Sequence, residues 1–328
     1  LGRMEMQRVP AAGYEIKGLP ICGFDRKHLL KNIAVLFKIW KSQRMANKII
    51  RQFKPMAAVG VCGYASGPTL NVCAKHGVPC LIQEQNSYAG VTNKLLAKKA
   101  AKICVAYDNM ERFFPAEKII VTGNPVRQNL LENTLTPQEA RTRLGLSPDK
   151  KTILIVGGSL GARTINESVL RHLDLVEKCG AQFIWQTGKY YHADIVKALE
   201  AHRELPMLHV SDFISDMGLA YKAADLVISR AGASSISEFC LIGKPVVLVP
   251  SPNVAEDHQT KNALALVNKD AALYVKDNEA PDQLLDLAIK TVNDGAKLES
   301  LSCNIKKLGR KDSADTIAKE VIKLALGL

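Results

Sequence analysis

Short apolar runs rich in β-branched residues alternate along this chain with longer stretches in which apolar positions return every three or four residues. The first pattern is that of a strand buried on both faces, and the second that of an amphipathic helix. Four such strands are predicted in the first half, over 57–62, 79–83, 102–106 and 118–122. Five more follow, over 152–156, 181–187, 207–211, 225–229 and 245–250. Alternation on this scale predicts βαβ units, so the expected fold class is α/β, with two doubly wound Rossmann-like parallel sheets. Residues 133–151 break the rhythm. They are polar, contain Pro137 and Pro148, and carry a Leu144-Gly145-Leu146 turn, which reads as a connection. The expected organisation is a first domain over 1–132, the connection over 133–151, a second domain over 152–312, and a helix over 313–328 that packs back across the domains. Open parallel sheets bind ligands beyond the carboxyl ends of their strands, which here predicts a site in the cleft between two facing domains.

Composition adds a setting. The 328 residues are 47% hydrophobic, enough for two cores, and no apolar run reaches the length of a membrane span. The eight cysteines form no C-x-x-C pair and mostly sit inside apolar runs, as reduced buried thiols do, so a reducing cytoplasm is expected. The net charge of +12 is one-sided. The first hundred residues hold sixteen Lys and Arg against four Asp and Glu, while the remainder holds twenty-eight of each. A basic half implies an anionic partner. Part of that charge lies on a predicted helix over 24–51. Its apolar stripe of Leu29, Ile33, Leu36, Phe37 and Trp40 adjoins a basic arc that includes Lys31, Lys38 and Lys41. Such a helix suits an anionic membrane surface, although part of the stripe is expected in the core. Nucleic acid is disfavoured, because the patch lacks interleaved aromatics and no nucleic-acid module is present.

The densest chemistry lies in Ser229-Arg230-Ala231-Gly232-Ala233-Ser234-Ser235-Ile236-Ser237-Glu238, where a predicted strand turns through glycine into a helical pattern. The N-terminus of such a helix presents unpaired N–H groups and the positive end of the helix dipole, which suits a phosphate. A carboxylate one turn in accepts from two neighbouring sugar hydroxyls. The plain alternative is a capping box, in which Ser235 and Glu238 satisfy each other's backbone donors. Gly157-Gly158-Ser159-Leu160-Gly161 forms a second strand-to-helix loop. Its spacing departs from G-x-G-x-x-G, and no acidic residue ends a second strand about twenty residues on, so a phosphate-facing loop fits better than NAD. Gly63-Tyr64-Ala65-Ser66-Gly67-Pro68 is a third such element, or else a tight turn with Pro68 at the first helical position. Gln83-Glu84-Gln85-Asn86 places polar side chains at a strand's carboxyl edge, where hydroxyls are recognised. Arg127 follows the Asn124-Pro125 turn and suits a phosphate or a uracil carbonyl, if it is not merely a surface arginine. His258, Gln259 and Asn262 share one helical turn and suit sugar hydroxyls. No spaced set of metal ligands is evident, so neither metal nor cofactor is expected.

Taken in order, these stretches resemble one family over essentially the whole chain. They are Gly2-Arg3-Met4-Glu5, Gly63 to Pro68, Gln83 to Lys94, Gly123 to Arg127, Gly157 to Arg163, Arg230 to Glu238 and His258 to Ala263. Together they resemble the MurG family of N-acetylglucosaminyltransferases of bacterial peptidoglycan synthesis. The resemblance implies a GT-B fold and a peripheral place on the cytoplasmic face of the inner membrane. It implies an inverting, metal-independent transfer of GlcNAc from UDP-GlcNAc to the C4 hydroxyl of lipid I, undecaprenyl-diphospho-MurNAc-pentapeptide. Asn86, Arg127 and Ser159 match donor-contacting positions, and Ile214 matches the residue whose backbone reads uracil. Ala233, Ser234, Ser235, Ile236, Ser237 and Glu238 match the diphosphate and ribose segment, with Glu238 on the ribose diol, and Gln259 matches a contact to the GlcNAc hydroxyls. Gly63, Tyr64, Ser66 and Glu84 are acceptor-side candidates. Two positions depart from the family pattern: Cys62 stands where glycine is usual, and Gln83 where many members carry histidine. The family's Gly-Gly-x-Gly-Gly-His loop, with its histidine base, is expected to precede Leu1. A donor-binding chain without acceptor chemistry is therefore the alternative expectation, and a nucleotide-sugar epimerase a more distant one.

Overall fold

The computed structural model describes residues 5–23, 32–127, 129–202 and 205–328. The chain divides into two compact units, Leu1–Gly123 with Asp312–Leu328, and Asn124–Lys311. The first begins with α1 (Glu5–Ala11), α2 (Asn32–Phe53), β1 (Ala58–Gly60), α3 (Ser66–Lys75), β2 (Cys80–Glu84), α4 (Val91–Leu96), β3 (Lys102–Val105) and β4 (Ile119–Val121). Its strands form one parallel sheet in the order β1-β2-β3-β4. Ile82 and Ile103, paired across β2 and β3, are fully buried with Leu70, Met110 and Phe114. Each large apolar side chain buried this way contributes about 1.5–3 kcal/mol.

Helix α2 divides its described apolar residues between two faces. Its core face is Val35, Ser42, Ala46 and Ile50, while Leu36, Phe37 and Trp40 are 59%, 64% and 52% exposed. At 100° per residue the buried four fall within one arc, and Leu36, Phe37 and Trp40 lie outside it. Helix α2 packs on α3, and Ala46 and Ile50 share a core cluster with Leu70, Val72 and Cys73 of that helix. Phe24 to Lys31, with Leu29 and Lys31, lie outside the described residues, as do Gly2, Arg3 and Met4 and the side chain of Ile33.

The second unit runs α5 (Asn129–Glu132), α6 (Pro137–Arg143), β5 (Thr152–Val156), α7 (Arg163–Arg171), α8 (Leu173–Lys178), β6 (Gln182–Gln186), α9 (His192–Glu200), β7 (Leu208–Ser211), α10 (Met217–Ala223), β8 (Leu226–Ser229), α11 (Ala233–Ile242), β9 (Val246–Leu248), α12 (His258–Val267), β10 (Leu273–Tyr274), α13 (Ala280–Asn293) and α14 (Gly295–Lys306). The closing helix α15 (Ser313–Leu326) belongs to the first unit. The sheet order is β10-β9-β8-β5-β6-β7, all parallel. The two-residue β10 is too short to show a period and was not predicted. Ile153, Ile155, Phe183, Trp185, Leu226 and Ile228 form the middle of the core. The indole of Trp185 donates to Asn166 Oδ1 at 3.0 Å, so its one polar atom is satisfied.

The stretch over 133–151 is more than a linker. Thr136 and Glu139 form a capping box that opens α6. Arg141 on that helix donates to Asp225 Oδ2 at 2.7 Å and to the carbonyl of Ala223 at 3.0 Å. Asp225 also accepts the Thr152 N–H at 2.7 Å, which joins α6 to the starts of β5 and β8.

Candidate functional site

The second sheet reverses direction between β5 and β8, the switch point at which parallel sheets open a crevice. Three strand-to-helix connections follow neighbouring strands there: the β5–α7 loop with Ser159, the β8–α11 turn leading to Ala233–Glu238 on α11, and the β9–α12 connection leading to Gln259 on α12. Neither α7 nor α11 has a side chain capping its N-terminus. In the first loop Gly161 has φ +85°, and a β-carbon there would stand 2.2 Å from the Thr187 carbonyl oxygen. Only glycine allows that approach. Ser159 is exposed at the tip.

Helix α11 starts at Ala233 behind Gly232, so Ser235 and Glu238 form no capping box. Ser234 is exposed, Ala233, Ser235 and Ser237 are half-buried, and Ile236 is buried with its N–H bonded to the Gly232 carbonyl. Ser237 Oγ donates to the Ala233 carbonyl and accepts from Asn124 Nδ2, both at 3.0 Å. The buried Glu238 is held from two sides. Arg127 Nε and Nη2 donate to its Oε1 at 3.0 and 2.9 Å, and Tyr221 Oη donates to its Oε2 at 3.0 Å. Two residues singled out from the sequence thus meet directly, and Tyr221, brought by α10, is one that the sequence did not single out. Burial and the neighbouring carboxylate push the Tyr221 phenol well above its ordinary range, so it stays a donor.

Arg230 follows a different course from its neighbours. It turns away from the loop tip and donates to the carbonyls of Val249 and Pro250, to Asp277 Oδ1, and to Thr164 Oγ1 at 3.2 Å. Thr164 itself donates to Asp277 at 2.6 Å. Arg230 therefore ties the ends of β8 and β9 to the first turn of α7. Neither Asp277 nor Thr164 carries a local motif that would have flagged it. Gln259 accepts the Ser251 N–H at 2.9 Å, and the buried Asn262 donates to the Ala231 carbonyl at 3.4 Å. Ile214 is half-buried after β7, three strands from β8 along the sheet.

The remaining candidates lie in the first unit. Gly63 has φ +76°, Tyr64 stands beside Gly23, and Ser66 Oγ donates to the Cys62 carbonyl at 2.7 Å. Helix α3 begins at Ser66, so Pro68 falls in its first turn and not at its first position. Glu84 has no exposed surface. Its Oε1 accepts the Asn86 N–H at 3.1 Å, Asn86 Nδ2 at 3.4 Å and Cys62 Sγ at 3.5 Å. Its Oε2 accepts the Gly90 N–H at 3.0 Å and Asn93 Nδ2 at 2.9 Å. Glu84 therefore builds the loop after β2. Cys62 has φ +67°, a conformation that glycine adopts without steric cost. Burial and the Glu84 charge push its thiol up to about 11. Among the described residues, no group of three or more His, Cys, Asp and Glu converges to hold a metal ion.

Residues 152–317 match the glycosyltransferase family 28 C-terminal domain, and residues 2–105 its N-terminal domain. The chain is 69% identical to the UDP-N-acetylglucosamine–N-acetylmuramyl-(pentapeptide) pyrophosphoryl-undecaprenol N-acetylglucosamine transferase of Phocaeicola vulgatus, over 99% of this chain and 86% of that protein. The protein of the same name from Porphyromonas gingivalis is 54% identical, over 98% and 85%. The crystal structure of Acinetobacter baumannii MurG superimposes with a TM-score of 0.75 at 28% identity, covering 98% of this chain and 88% of that one. The UDP-GlcNAc 2-epimerase of Neisseria meningitidis has a TM-score of 0.62 at 14% identity, over 92% and 84%, and shares the fold alone.

Proposed function

This chain belongs to the MurG family of GT-B glycosyltransferases, and on that premise we propose how its second unit holds and activates the sugar donor. It is an N-acetylglucosaminyltransferase that converts lipid I to lipid II in peptidoglycan synthesis. In the proposed donor complex, the amides at the starts of α7 and α11 receive the diphosphate of UDP-GlcNAc. Glu238 accepts from the ribose diol, the Ile214 backbone reads uracil, and Gln259 meets the sugar hydroxyls. The acceptor's C4 hydroxyl displaces UDP at the anomeric carbon with inversion. The charge that grows on the leaving diphosphate is met by two helix N-termini and by Arg127. The observation that carries this reading is the pairing of Arg127 with Glu238 beside an uncapped helix start at the switch point. Glu238→Ala is expected to weaken UDP binding by roughly 1–3 kcal/mol in titration calorimetry. Unchanged affinity would sink the donor assignment.

The acceptor arrives on a lipid, and the reading extends to the surface that meets it. Among the described residues no helix is long and apolar enough to cross a membrane. The outer face of α2 carries exposed Leu36, Phe37 and Trp40 beside Lys38 and Lys41, with Arg44 stacked over Trp40 at 4.9 Å. An apolar strip flanked by cations fits anionic headgroups. Charge reversal at Lys31, Lys38 and Lys41 is expected to abolish most co-sedimentation with phosphatidylglycerol vesicles. Sedimentation equal to that of the unmodified chain refutes the membrane contact.

A further inference from the structure

We propose that Tyr221 is the positioning residue that presents the Glu238 carboxylate to the ribose diol, so that the second unit selects ribonucleotide over deoxyribonucleotide donors. This rests on the reading that Glu238 takes the ribose. A carboxylate offers about four acceptor sites, two on each oxygen. Arg127 occupies both on Oε1, through Nε and Nη2. The Tyr221 hydroxyl occupies one on Oε2 and leaves the other. A vicinal diol that donates to both oxygens therefore finds Oε2 ready and Oε1 filled.

The two partners differ in what holds them. The Arg127 side chain is 55% exposed and follows a segment without regular structure, so its guanidinium returns to water when an arriving diol takes its place on the carboxylate. Tyr221 is buried on α10, with its ring edge-on to Phe239 at a centroid distance of 5.6 Å. Withdrawing its hydroxyl would orphan a buried donor. Donor binding thus exchanges Arg127 for the diol on Oε1 while Tyr221 keeps Oε2 in place. The released guanidinium becomes available to the diphosphate. Without the phenol hydroxyl, nothing opposes rotation of the carboxylate toward a two-oxygen pair with Arg127, the geometry that guanidinium prefers. That pair competes with the diol.

The test titrates UDP and 2′,3′-dideoxy-UDP into the unmodified chain, Tyr221→Phe and Glu238→Ala. The unmodified chain is expected to prefer UDP by about tenfold or more. Tyr221→Phe is expected to cut that preference to about one third while binding dideoxy-UDP as tightly as before, which also reports an intact fold. Glu238→Ala removes the preference. If Tyr221→Phe keeps the full preference, or weakens both ligands equally, the assignment of Tyr221 is overturned and the ribose reading stands. No preference in the unmodified chain, or a preference that survives Glu238→Ala, overturns the ribose reading itself.

Discussion

Glu84, the last residue of β2, and Glu238, on the helix that follows β8, are both buried carboxylates, and they are satisfied in opposite ways. Glu84 receives bonds from Asn86, Gly90, Asn93 and Cys62, all neutral and drawn from the loops around it and the first turn of α4. Glu238 receives two bonds from a half-exposed guanidinium and one from a buried phenol. The first carboxylate has its acceptor sites filled by its surroundings and is sealed from solvent. The second has one firm partner and one exchangeable partner. A buried acid at a sheet edge is therefore no guide to ligand binding until its partners are known, because a ligand can only take a bond that something else can give up.

The largest expected effect breaks the loop and spares the donor site. Glu84→Ala strands several buried N–H donors and is expected to destabilise the first unit by about 3 kcal/mol or more in chemical denaturation. UDP affinity should fall far less than in Glu238→Ala, since of the donor residues named only Asn86, which Glu84 holds, lies in the first unit. A loss of UDP affinity as large as that of Glu238→Ala would erase the contrast between the two acids.

A smaller effect tests the same principle with the opposite charge. Lys244, between α11 and β9, donates to the single carbonyl of Ala224, and burial lowers its pKa to about 8. The Asp225 carboxylate offsets this burial only in part, since Lys222 and Arg141 add like charge. Below pH 8 both the folded and unfolded chains carry the proton, and the cost of burying the charge is fully present. Between about pH 8 and the ordinary lysine range the folded chain gives up its proton first, so this group's cost to folding fades as pH rises. Lys244→Met is expected to gain about 1–2 kcal/mol at pH 7, after the lost carbonyl bond is set against the relieved burial. That gain should shrink toward zero by about pH 9.5 in parallel melts. A gain that does not change with pH refutes the buried charge as its source.

The two halves of the molecule were not equally legible. Of the ten strands among the described residues, eight lie within the predicted runs and β2 exceeds its run by Glu84 alone, because a parallel strand covered on both faces must be largely apolar. The Arg230–Glu238 run was legible as a strand-to-helix turn because strand, glycine and helix start are local. The capping box drawn from the same residues was not realised, since the helix begins at Ala233 and Glu238 has non-local partners. The stripe on α2 was legible as a stripe, and its described side chains Leu36, Phe37 and Trp40 are exposed. Periodicity tells which residues share a face, but not which face meets a neighbour.

By itself the sequence determined the alternation of strand and helix, the glycine turns at the sheet edges, the one-sided charge and the family motifs, all features carried by residues within a few positions of each other. Only the tertiary structure decided that Arg230 ties strands together, that Glu84 is sealed inside its own loop, and that Tyr221 stands on Glu238. Those outcomes join residues brought together by crossovers and the folding of loops, and side chains that meet in this way compete for a limited number of hydrogen-bond sites that no local pattern records.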